Sequence, residues 1–170
     1  KMDFKKIPLE FIKLSDIGYL NTIKRKTFYI DFYNNNLFVM PKNGLLYYQN
    51  INDVEKNISN FKRIDSNLDA NFVLDLLIKD KKIYVSYVEK NNNCAFLKLA
   101  SSNISLDKIK FKDIFTSDEC MQLIQAGRIQ KIVKKDNTYI LLSTQSHTFE
   151  REDERDLKPQ DDNSIYGKII

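Results

Sequence analysis

The chain contains one histidine, His147, in the stretch Thr144-Gln145-Ser146-His147-Thr148. Histidine is the side chain whose ordinary titration range suits general-base work near neutral pH. A solvated loop histidine is the plain alternative. The two cysteines, Cys94 and Cys120, flank one group of apolar runs. A bridge between them would close a loop of about 26 residues and contribute roughly 3 kcal/mol by restricting the unfolded chain; two free, buried thiols are the other reading. One His and two Cys fall short of a four-ligand zinc set. The four glycines, Gly18, Gly44, Gly127 and Gly167, form neither a phosphate loop nor a nucleophile elbow. The run Glu150-Arg151-Glu152-Asp153-Glu154-Arg155-Asp156 has carboxylates enough for calcium but lacks the Gly-centred spacing of a calcium loop, and it reads as a solvated excursion between strands.

The elements that must position these residues are strands. Aromatic and β-branched residues alternate in short runs separated by Asn, Asp, Lys and Gly. The first group comprises Thr27 to Phe32, a turn at Asn34-Asn35-Asn36, Leu37 to Met40, the turn Lys42-Asn43-Gly44 and Leu45 to Tyr48. Asn-Gly suits a two-residue hairpin because both residues tolerate positive φ. A weaker fourth strand is expected near Phe61 to Ile64. The second group has Phe72 to Ile78, Ile83 to Val88, Ala95 to Leu99 and Ile109 to Phe115, with turns at Lys79-Asp80-Lys81 and Asn91-Asn92-Asn93. The third starts with Arg128 to Val133, turns at Lys135-Asp136-Asn137 and returns through Tyr139 to Ser143.

Equivalent strands at Phe38, Val85 and Ile140 recur about every 45 to 55 residues, a period suited to β-propeller blades. The expected fold is therefore all-β, a single partial propeller of about three four-stranded antiparallel blades at approximately 27–64, 72–116 and 128–170. Three blades do not close a ring, and an open fan exposes two apolar faces and its strand edges. A longer propeller, completion by a partner chain, or a β-sandwich remain as readings. Tyrosines 29, 33, 47, 48, 84 and 87 alternate with apolar neighbours and suit packing within the sheets.

With 170 residues, 42% hydrophobic and 29% charged, the composition is that of one globular domain. The net charge of +4 is spread singly along the chain, without the stripe or cluster of a nucleic-acid footprint. Lys24-Arg25-Lys26 and Lys79 to Lys82 are short and read as solvated turns. No apolar run approaches the roughly 20 residues that cross a bilayer. The first residues, Lys1 to Pro8, have no signal-peptide pattern, which leaves a cytosolic protein or one whose leader has been removed.

The segments Phe111-Lys112-Asp113-Ile114-Phe115-Thr116-Ser117-Asp118-Glu119-Cys120, Ala126-Gly127-Arg128-Ile129, Tyr139 to Thr144, and Pro159-Gln160-Asp161-Asp162-Asn163-Ser164-Ile165-Tyr166-Gly167-Lys168-Ile169-Ile170 follow one another in an order that resembles the soluble glucose/sorbosone dehydrogenase family. The resemblance covers about Phe72 to the end, and the closing motif is its most specific part. It implies a six-bladed propeller, of which this chain looks like the N-terminal half, with pyrroloquinoline quinone (PQQ) and calcium as cofactors. By the same resemblance, hydride would pass from a sugar or other small polar ligand to the quinone, in the periplasm or outside the cell. Arg128 would face the cofactor, with Gln125 and Gln145 beside it.

This sequence departs from the family at the residues that do chemistry. The proton-accepting histidine of the family would stand at Ile124, and isoleucine accepts no proton. Gln145-Ser146 replaces a Gly-Asp pair, and Asn71-Phe72 a pair of glycines. His147 is the candidate substitute for the missing base. A non-catalytic propeller or sandwich that serves as a binding module is the competing expectation.

Overall fold

The computed structural model describes residues 27–55, 61–70, 72–120, 124, 126–145 and 162–170. Of the residues singled out above, Lys1 to Pro8, Gly18, Lys24 to Lys26, Asn71, Gln125, Ser146, His147, Thr148, the acidic run 150–156 and Pro159 to Asp161 lie outside the described residues.

The regular structure of the described chain is almost entirely β. Strands β1 (Phe28–Tyr33), β2 (Asn36–Pro41) and β3 (Leu46–Asn50) lead into a short helical turn, α1 (Ile51–Glu55), and then β4 (Lys62–Ser66). These four strands pair antiparallel in chain order. Strands β5 (Phe72–Lys79), β6 (Lys82–Asn91), β7 (Cys94–Asn103) and β9 (Lys112–Thr116) form a second antiparallel sheet. The two-residue β8 (Lys108–Ile109) leaves it to pair parallel with β4 at Asp65 and Ser66. Strands β10 (Ile129–Lys134) and β11 (Asn137–Leu142) make a third sheet. The last residues add to its edge: Leu142 and Ile170 exchange backbone hydrogen bonds of 2.9 Å, and Thr144 N–H reaches Lys168 O at 2.9 Å.

Asparagine, aspartate and lysine at positive φ make the hairpins tight. Asn34 and Asn35 (φ 45° and 59°), Asp80 and Lys81 (50° and 64°) and Lys135 and Asp136 (49° and 63°) occupy two-residue turns of the primed type, which match the twist of the flanking strands. The Asn43-Gly44 loop differs from its expected form. It runs from Lys42 to Leu45, with only Gly44 left-handed (φ 79°) and its N–H bonded to Pro41 O at 3.0 Å. The wider loop leaves Lys42 O free to accept from Val73 N–H at 2.7 Å, so it anchors the start of the second sheet.

The single strand expected from Ile109 to Phe115 is two strands. Between them the Asn67 side chain stands in for a strand partner, accepting from Phe111 N–H at 2.7 Å and donating to Phe111 O at 3.1 Å. This reciprocal pair satisfies the backbone where the chain passes from one sheet to the other.

The sheets stack in three layers. Phe38, Met40, Leu46 and Ile64 of the first pack against Val73, Leu76, Ile78, Ile83 and Val85 of the second. Leu74, Val88, Leu97 and Leu99 on the other face of the second sheet pack with Ile124, Ile129, Leu142 and Tyr166. Burial on both faces explains why β5 is a nearly continuous apolar run rather than an alternating one. The two outer layers end in solvent. Ile30 and Phe32 on β1 are 54% and 53% exposed, and Ile132 and its cross-strand partner Tyr139 are exposed on the third sheet. No sheet closes on itself among the described residues.

Candidate functional site

Arg128, immediately before β10, meets residues of both other sheets, Asp75 on β5 and Tyr29 on β1. The backbone there is fixed from the second sheet. Asp75, the one acid in the apolar run of β5, accepts from Ile129 N–H at 2.8 Å and from Arg128 Nη1 at 3.1 Å. A β-bulge between Val73 and Asp75 turns this carboxylate out of the regular register. The Ser86 hydroxyl donates to Gly127 O, and Arg128 N–H reaches Ser143 Oγ at 3.2 Å. Gly127 is required by close approach: a Cβ there would lie 2.6 Å from Leu74 Cδ1 and 3.2 Å from Leu97 Cδ1.

The Arg128 guanidinium lies 5.9 Å from the centre of the Tyr29 ring on β1, while its side chain stays 73% exposed. Burial pushes the Tyr29 hydroxyl above its usual titration range, opposed by the Arg128 charge and reinforced by Asp75. Tyr29 therefore stays protonated near neutral pH. Further along, Lys131 on β10 forms an ion pair with Asp80 in the β5–β6 turn, and that hydrogen bond holds the Asp80 carboxyl below the usual range. On the other side, Asp31 of β1 accepts from Ile78 N–H of β5 at 2.5 Å.

This cluster has one exposed cation whose remaining N–H donors are open to an anion, and no neutral-pH base beside it among the described residues. Ile124, at the position where the resemblance expects the base, is 1% exposed and packs with Leu74, Leu97 and Tyr166. Gln145 O accepts from Gly167 N–H at 2.9 Å, which makes its backbone part of the third sheet's edge. Among the described residues, no three His, Cys, Asp or Glu side chains are grouped to hold a metal ion. The fit to a quinone is accordingly partial: Arg128 can meet a quinone carboxylate, but a buried isoleucine cannot receive the substrate proton.

Cys94 and Cys120 form a disulfide, with Cα atoms 5.0 Å apart. It ties the start of β7 to the segment that follows β9. That segment is also pinned by Ser117, which donates its N–H to Leu97 O at 2.8 Å and accepts from Leu97 N–H at 3.0 Å. Glu119 in turn accepts from the Ser164 hydroxyl at 3.0 Å, and Tyr166 is buried in the second core. The motifs around Glu119 and Ser164 thus meet as scaffold.

Tyr29, expected from the sequence to pack within the sheets, does pack against the first core and also faces Arg128, whereas Asp75 was not singled out from the sequence. The signal for Asp75 was present, because a lone carboxylate inside Phe72-Val73-Leu74-Asp75-Leu76-Leu77-Ile78 needs a partner when buried. No helix among the described residues is long and apolar enough to cross a membrane. Comparisons with family models, curated proteins and solved structures give no match.

Proposed function

We propose that this chain is a section of a β-propeller that acts as a binding scaffold rather than as a catalyst at Arg128. The observation that carries the reading is the handling of Ile124 and Arg128. The first is sealed in the core between sheets, and the second is held by Asp75 as a link between them. The blade reading is supported by order: the first strands β1, β5 and β10 lie next to one another, joined in succession by Asp31 to Ile78 and by Asp75 to Ile129. Inner strands around a propeller axis stand in that relation, and β1 to β4 and β5 to β7 pair antiparallel in chain order as the strands of a blade do.

A quinone-dependent sugar dehydrogenase is the second reading, favoured by the solvent-facing guanidinium of Arg128. The two separate on titration of the purified chain with PQQ and calcium, followed by an artificial-acceptor assay on a panel of aldoses. The scaffold reading expects no turnover and no saturable quinone binding. Turnover that disappears in Arg128→Ala would replace it with the dehydrogenase reading.

A further inference from the structure

Strand β7 begins at a disulfide and ends at an acceptor triplet for covalent modification. Asparagine, then any residue but proline, then serine or threonine is the sequence to which N-linked oligosaccharide is attached. Two such triplets occur in the chain, Asn57-Ile58-Ser59 and Asn103-Ile104-Ser105. Asn57 to Ser59 lie outside the described residues, whereas Asn103 is the last residue of β7.

A triplet this short arises by chance in a chain with many asparagines, so its placement decides. The middle residue is held and the acceptor is not. Ile104 packs on the first core, and its N–H bonds to Lys81 O at 3.0 Å, which fixes the backbone of the triplet against the β5–β6 turn. Asn103, opposite the exposed Lys82 in the ladder between β6 and β7, is itself exposed. Its side chain has no hydrogen-bond partner among the described residues. A substituent on Asn103 Nδ2 therefore displaces neither a hydrogen bond nor a core contact, and the folded chain tolerates it. Ser105 Oγ accepts from Asp107 N–H at 3.3 Å, a bond that does not engage the hydroxyl proton.

The disulfide is an independent observation about compartment. Cys94 opens the same strand that Asn103 closes, and it is bonded to Cys120. Such bonds form and persist where thiols are oxidised, as in the lumen of the eukaryotic secretory pathway. Acceptor triplets on the surface of secreted chains are modified in that lumen.

We propose that Asn103 is an N-glycan acceptor, and that the chain folds in a compartment that both oxidises thiols and transfers oligosaccharide. In the transfer, Asn103 Nδ2 forms a bond to C1 of the first sugar of a lipid-linked pyrophosphate oligosaccharide. The bond from C1 to the pyrophosphate oxygen breaks with its electron pair going to the pyrophosphate, and one amide proton is released. The inference stands apart from the propeller reading and from the chemistry at Arg128.

The test is secretion of the whole chain from eukaryotic cells behind a cleavable leader, with intact mass and peptide mapping before and after peptide-N-glycosidase, which turns a glycosylated asparagine into aspartate. The enzyme should lower the intact mass and leave an aspartate in place of Asn103. Asn103→Gln and Ser105→Ala should each abolish modification at this site, and Ser105→Thr, which keeps the hydroxyl, should retain it. Asn103→Gln should keep the disulfide and unfold at the same temperature as the deglycosylated wild-type chain, because the side chain it replaces is exposed and unpaired. An unmodified Asn103 in the secreted wild-type chain would overturn the proposal. So would modification confined to Asn57, modification of Asn103 that persists in Ser105→Ala, or free thiols at Cys94 and Cys120 in the secreted chain.

Discussion

Asp75 on β5 receives the backbone N–H of Ile129 at 2.8 Å, so a single carboxylate of the second sheet sets where the third sheet begins. Asp75→Ala would leave this buried N–H without an acceptor, at a cost of about 1 to 3 kcal/mol. Asp75→Asn keeps an acceptor and should retain most of the stability. Arg128→Ala should cost less than about 1 kcal/mol, because its side chain is largely in solvent. Urea unfolding of the three variants orders them; equal losses in Asp75→Asn and Asp75→Ala would show that the charge, not the acceptor, is what matters.

Gly127 has no room for a methyl group. Gly127→Ala brings a Cβ to 2.6 Å from Leu74 Cδ1 and 3.3 Å from Leu74 Cβ, and overpacking of this kind costs about 1 to 3 kcal/mol. Combining it with Leu74→Ala should cost less than the sum of the two single changes, because the second substitution vacates the space the first one needs. Strict additivity in that double-mutant cycle would mean the clash is relieved elsewhere.

Reduction of the Cys94–Cys120 disulfide removes a constraint across a separation of 26 residues. The expected loss is about 3 kcal/mol. Denaturation with and without reductant measures it, and intact mass under the two conditions establishes that the bond was present. An unchanged midpoint would show that the reduced, unfolded chain is already restricted here.

Alkaline pH should weaken the fold through the Asp113 neighbourhood. Tyr87 donates to Asp113 Oδ1 at 2.8 Å, and Lys98 Nζ lies 3.0 Å from Asp113 Oδ2 and also pairs with Glu89. Burial, then the hydrogen bond to Asp113, raises the Tyr87 hydroxyl above its ordinary value of 10.0. The hydrogen bond to Glu89, countered by burial and helped by Asp113, raises Lys98 above 10.5. Both groups have raised folded-state values, so their contribution is complete below the ordinary values and declines as pH rises past them. Stability followed by urea unfolding should be level up to about pH 9 on this account and fall above it, and Tyr87→Phe should make the fall shallower. An equally steep fall in Tyr87→Phe would remove Tyr87 from the explanation.

The strands could be read from the sequence because their determinants are local. Alternation across Thr27 to Phe32 and the Asn34-Asn35, Asp80-Lys81 and Lys135-Asp136 turns act within a few residues, through pleat geometry and tolerance of positive φ. The continuous apolar run of β5 likewise announces a strand covered on both faces. Tertiary structure decided what no local rule contains. Strand β8 leaves its own group for β4 because the Asn67 amide, 44 residues away, completes the backbone of Phe111. Arg128 is turned into a link between sheets because Asp75, 53 residues earlier, is brought to it by a bulge. Ile124 becomes a core residue by burial between two layers that are distant in the chain. Hydrogen bonds and burial depend on which surfaces meet in space, and chain order alone does not specify those meetings.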